Sequence, residues 1–320
     1  MSTVQPHEED PFSRNIQLNT VEEHRGYHRK NEDGEIQRPN IIDDCCRGLV
    51  LQGRIDRIVH GIERPTGNPA TLVVFGFLFH GLDNKRRFKQ AIIQITFQDK
   101  QKKPKADPEV IALWPRGDFT LGQPTDIDVE NSISQDLGAD VAPAGAVSAV
   151  VQAGLHTARR WEERANYRKQ DRASLRGAII LNEEVRDHGR DNAVRLVINE
   201  NITAESGIVA DFRAVVLLRR PKRDENNVNP EDDWFTCSMD IKANAHFAYN
   251  AISGLRKVAG LSNGNDPVTF KPGQQYLRPP ASNRDHETSL SAAIDENNLS
   301  EAKLDDLSRV MGKSVLVASV

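Results

Sequence analysis

From Leu49 to Asp99 the chain alternates apolar and polar positions with a period of two, the spacing of a strand whose successive side chains point to opposite faces. In "CRGLVLQGRIDRIVHGIE" Leu49, Leu51, Gly53, Ile55 and Arg57 share one face, and Val50, Gln52, Arg54 and Asp56 share the other. "RPTGNP", Arg64 to Pro69, then breaks the run with two prolines and a glycine. In "TLVVFGFLFH" one face holds Val73, Phe75, Phe77 and Phe79, and the other holds Leu72, Val74, Gly76 and Leu78. Both faces want cover, which predicts a central strand. "HGLDNKRR" supplies the glycine and the Asp83-Asn84 pair that turns favour. On the return, Ala91, Ile93, Ile95 and Phe97 oppose Gln90, Ile92, Gln94, Thr96 and Gln98, predicting a half-buried strand beside the buried one.

"VIALWPRGDF" reads as a short strand ended by Pro115. The segment after Thr125 offers two incompatible periods. Val147, Val150, Val151, Leu155, Ala158, Trp161 and Ala165 fit a helical stripe, whereas Val147, Ala149, Val151, Ala153 and Leu155 fit one strand face. Spacing alone favours the helix. Four strand-like segments follow: "LRGAIILNEEVRD", "NAVRLVINENIT", "GIVADFRAVVLLRR" and "WFTCSMDIKAN". Their hairpin-length spacing predicts one antiparallel sheet. "AHFAYNAISGLRKVAG" predicts a short helix closed by Gly260, and "LSEAKLDDLSRVMG" has helical spacing from Leu299 to Val310 with Ser300 placed to cap it. The fold expected is mainly β: an antiparallel β-sandwich with one to three peripheral helices. The organisation expected is a disordered acidic and polar tail over residues 1–45, a sandwich domain over 46–270, and an irregular segment with a short helix over 271–320.

Composition changes this picture little. The chain has 320 residues, enough to bury a core, and its 38% hydrophobic content with a mean hydropathy of -0.56 fits a folded middle with hydrophilic ends. No segment approaches the roughly 20 apolar residues of a spanning helix. "MSTVQPHEEDPFSRN" lacks the apolar core of a secretory signal. The three cysteines, two of them adjacent, imply no disulfide framework. An intracellular, cytoplasmic protein is expected. The net charge of -4 argues against a general nucleic-acid binder.

No phosphate-binding loop and no Gly-x-Ser-x-Gly motif is present. Cys45, Cys46, His60 and His80 have the chemistry of zinc ligands, but their spacing does not suit a compact chelating knuckle, so no metal or other cofactor is assigned. His80, Trp114 and Asp118 are the candidate lining of a pocket between the sheets, where a small hydrophobic ligand would fit. The Glu183, Glu184 and Asp187 carboxylates do not pair as a hydrolase site would require. Arg159, Arg160, Trp161, Arg164, Tyr167, Arg168 and Lys169 mix arginine with aromatics, a composition suited to an anionic surface, although acids interrupt it and a solvated helix face reads the same way. The weak alternation from Asp126 to Leu137 and the small-residue run from Ala142 to His156 resemble hairpins that insert into membranes.

In the distal half, "AVVLLRR", "WFTCSMDIKAN", "NDPVTFKP" and "LDDLSRV" occur in an order that resembles an uncharacterised intracellular β-rich protein family of filamentous fungi. The resemblance runs from about Arg176 to Val310. It implies a β-rich fold and favours strand over Val147 to His156. The function expected is a non-catalytic interaction protein whose partner is another protein. The alternatives are a small-molecule pocket enzyme of isomerase or cyclase type, and a membrane-active protein.

Overall fold

The period-two segments become strands of two facing antiparallel sheets, and the β-sandwich is the architecture observed. The structure, a computed structural model, describes residues 29–46, 49–81, 86–134, 162–222, 233–245, 265–279, 290–309 and 318–319. The first sheet runs β1 (Asn40–Cys46), β2 (Leu49–Glu63), β3 (Asn68–Gly81), β9 (Asp211–Arg219), β5 (Glu109–Trp114), with β12 (Tyr276–Leu277) on the edge of β2. The second runs β11 (Val268–Phe270), β10 (Phe235–Asn244), β4 (Gln90–Asp99), β8 (Ala193–Asn199), β7 (Glu162–Ile180), β6 (Gly117–Ser134), β13 (Ala318–Ser319).

The inward faces of the two sheets meet in the main core. Val73, Phe75, Phe77 and Phe79 of β3 pack opposite Ala91, Ile93, Ile95 and Phe97 of β4, with Phe75 and Phe97 6.2 Å apart across the layers. β4 therefore does not lie beside β3, as the sequence pattern predicts, but crosses to the other sheet. The four later segments divide likewise: β7, β8 and β10 enter the second sheet and β9 the first. Which sheet a strand joins is decided by pairing far along the chain, which local alternation does not encode.

β3 is covered on both faces, as its pattern predicts. Its outward Leu72 and Val74, with Val59, Val215 and Leu217, bury against Leu290, Leu299 and Leu307. Residues 290–309 thus form a strap over the first sheet. It contains a 3-10 turn at Leu299–Glu301 and one helical turn, Leu304–Leu307, in place of the continuous helix expected from Leu299 to Val310, and Ser300 caps neither. Three further expectations are corrected. Asn40–Cys46 pairs with β2, and Gln37 and Arg38 are buried, so the sandwich starts inside the segment expected to be a tail. A bulge between Ile55 and Arg57 moves Arg57 to the face opposite Leu51 and Ile55. Residues 162–172, the end of the expected helix, are strand. The helix expected before Gly260 lies outside the described residues. Among the described residues no helix is long and apolar enough to cross a membrane.

Candidate functional site

The expected pocket does not assemble. Trp114 pairs with Val215, which pairs with Val74, whereas His80 lies six residues farther along β3, roughly 20 Å at the rise of a strand. His80 is exposed at the end of its strand, and Asp83 lies outside the described residues. Trp114 packs edge-on against Phe119 at 5.2 Å and joins the cluster beneath the strap. Asp118 pairs with Arg176 at the surface. By backbone register the zinc-type residues are not all brought together either. Cys45 and His80 share the rung of Val50, while His60 lies ten residues away along β2, roughly 33 Å. Glu183, Glu184 and Asp187 sit in the connection after β7 rather than on a strand.

Two buried polar groups, Asp56 and His60, hold places that the sequence reading did not assign to them. Asp56, the unpaired residue of the β2 bulge, is fully buried and accepts hydrogen bonds from Arg54 (2.9 Å), Arg213 (2.8 Å) and Arg278 (3.2 Å). Arg213 also donates to the Arg309 carbonyl at 2.8 Å, so this cluster fastens the strap. His60 closes one end of the core: Nδ1 lies 2.9 Å from Thr71 Oγ1, and Nε2 lies 3.3 Å from the Gln37 amide nitrogen. The amide is a donor, so Nε2 accepts and Nδ1–H donates to Thr71. Burial, with the nearby Arg220 charge, lowers the His60 pKa to about 3. Near that end a shallow cleft is lined by Asp99, Pro108, Arg220, Asp233 and Trp234, with Lys100 Nζ 4.2 Å from the Trp234 ring centre. The cleft leaves room for about one water molecule, too little for a small-molecule site.

The feature with the form of a working surface is a ribbon. At the rung of Thr120 and Ser174 the second sheet is six strands wide, because Thr120 also pairs with Ala318 of β13 and Ser174 with Asn199 of β8, which pairs with Gln90 of β4 and through it with Asn244 of β10. One rung farther out, Leu121 pairs with Ala173, the β8 ladder has ended, and the residues preceding β13 lie outside the described residues. Gly122, Gln123 and Pro124 then bulge opposite Arg172, a position where the missing proline N–H removes no ladder bond. Beyond the bulge β6 and β7 pair in register for ten rungs, from Thr125 with Asp171 to Ser134 with Glu162. At about 3.3 Å per residue these rungs reach roughly 33 Å past the sandwich. The root is tethered: Asp171 accepts from the Thr203 backbone N–H (2.9 Å) and hydroxyl (3.0 Å), bonds that hold its carboxyl below the usual carboxylate range. Arg164, Tyr167, Arg168 and Lys169 lie on β7 within the ribbon, while Arg159, Arg160 and Trp161 lie outside the described residues.

Comparison with protein-family models and with curated proteins finds no match to this chain.

Proposed function

We propose that this chain is a non-catalytic interaction protein whose working surface is the β6–β7 ribbon. The observation that carries the reading is the run of ten rungs with no third strand among the described residues. A two-stranded hairpin is marginal in water by itself, and its outer backbone groups form a template for another strand. A ribbon of this length therefore has reason to acquire a partner, and backbone pairing is a common means of recognition.

Photo-cross-linking tests the reading. A photoreactive residue at Ser132 in β6 is compared with one at Ser238, exposed on β10. Cross-linking in extract of the producing cells should yield defined adducts at Ser132 and few at Ser238. Adducts concentrated at Ser238, or none at either, would reject the ribbon as the working surface. Replacing residues 122–172 with a two-residue Asn-Gly turn, which joins the paired Leu121 and Ala173, should leave the sandwich folded and remove the partner.

A membrane-active protein is the second reading. Ile127, Val129 and Ile133 share one parity along β6, and Leu137 and the set Val147, Ala149, Val151, Ala153 and Leu155 continue it in sequence. Residues 135–161 lie outside the described residues. Dye release from anionic vesicles by the whole chain, lost on ribbon replacement, would favour this reading over the first.

A further inference from the structure

The bulge that buries Asp56 fastens the strap at both ends. The next residue, Arg57, donates from Nη1 to the carbonyls of Leu290 (2.6 Å) and Ala292 (2.7 Å), where the strap begins. Asp56 itself accepts from Arg213 Nε at 2.8 Å, and Arg213 Nη1 donates to the Arg309 carbonyl, where the strap ends, also at 2.8 Å. Between these two points the chain crosses the aliphatic outer face of the first sheet. It is seated there by Leu299, Leu307 and the bond from the Ile62 N–H to the Glu296 carbonyl. All of these bonds end on main-chain oxygens of the strap, and none of the described strands pairs with it.

The closed position leaves polar atoms unsatisfied. Trp114 packs against the aliphatic cluster beneath the strap, and its buried Nε1–H has no acceptor. Asn298, within the strap, has a buried Oδ1 with no donor. A buried polar atom in this position has given up its bonds to water and gained none in return. Lifting the strap gives water back to both.

We propose that residues 290–309 are a lid that opens as one piece from the bulge at Asp56 and Arg57 while the sandwich stays folded. Segments joined to a core by few bonds open at a lower free energy than the core itself. The opening is concerted for two reasons. Both ends are pinned at one bulge, and Leu290, Leu299 and Leu307 share one cluster with Val59, Leu72, Val74, Val215 and Leu217, so water admitted at one leucine unseats the others. Freeing either end therefore bares the whole aliphatic face at once.

Native-state hydrogen exchange in low denaturant tests this through two groups of amides bonded within the strap: Asn298, Glu301 and Ala302 in its first half, and Leu307, Ser308 and Arg309 in its second. In the wild type both groups should share one opening free energy, below that of β4 and β8. Arg57→Met unfastens the beginning of the strap, and Leu307→Ala removes an anchor near its end. Each should quicken both groups by the same factor, at least about tenfold, with β4 and β8 unchanged. Quickening confined to the half nearer the substitution would overturn the lid. So would strap amides that exchange only together with β4 and β8, a result the wild type gives without any variant.

Discussion

Protonating His60 would place an N–H against the donor amide of Gln37, in a wall that already faces the charge of Arg220. Its pKa is about 3 in the folded chain against 6.5 ordinarily, so between those values the unfolded chain binds the proton and the folded one does not. The stability lost in that window grows as pH falls through 6.5, at about 1.4 kcal/mol per pH unit. His60→Gln, which takes up no proton, should show a shallower decline in urea midpoint between about pH 6.5 and pH 5 than the wild type. Parallel pH profiles for the two proteins would exclude His60 as the source. The sequence offers His60 only as a zinc-type ligand, because Thr71 meets it through the pairing of β2 with β3 and Gln37 lies in a segment that reads as a tail. Asp56 was not legible, because the alternation reads through it unbroken. The bulge that buries it shows only in the pairing of β2 with β3, and two of the arginines that satisfy it come from positions 213 and 278, far beyond any local pattern.

Gly61 sets how closely the strap approaches its sheet. The Ile62 N–H donates to the Glu296 carbonyl at 2.8 Å, and a methyl group at Gly61 would lie 2.1 Å from that same oxygen. Gly61→Ala therefore cannot be accommodated without moving the backbone of residue 296. Hydrogen exchange should quicken across 290–309 while the inner strands β4 and β8 keep their protection; unchanged exchange in the strap would show that the contact is not limiting. The individual strands β2, β3, β4, β5, β8 and β9 were legible because each buries at least one face and so keeps a period of two. The ribbon was not. A two-stranded element outside the core has no face that must be apolar, and "EERANYRKQDR" satisfies a solvated helix as well as a strand. Only its pairing with β6 distinguishes them. The strap was misread for a related reason: Leu299, Leu304 and Leu307 have helical spacing, but burial against β3 and β9 requires only their contact, which a broken turn supplies.

At the scale of the whole molecule, the sandwich and the ribbon draw their stability from different sources. The sandwich rests on a continuous buried core between two sheets, while the ribbon has backbone pairing and a root held by Asp171. That separation is why excision of the ribbon is expected to leave the sandwich intact. The strap bears instead on the order of events during synthesis. Leu217 is the last apolar residue of the covered outer face to be made, and Leu307, which helps to cover it, follows 90 residues later. At translation rates of about 5–20 residues per second, Leu217 waits roughly 5–18 s for Leu307 to be made, and Val59, Leu72 and Val74, made earlier, wait longer for their cover. A nascent chain stalled before residue 290 should accordingly bind hydrophobic dyes and be captured by general chaperones, and one released after residue 309 should not. The last segment to be made then decides when the growing chain ceases to be sticky.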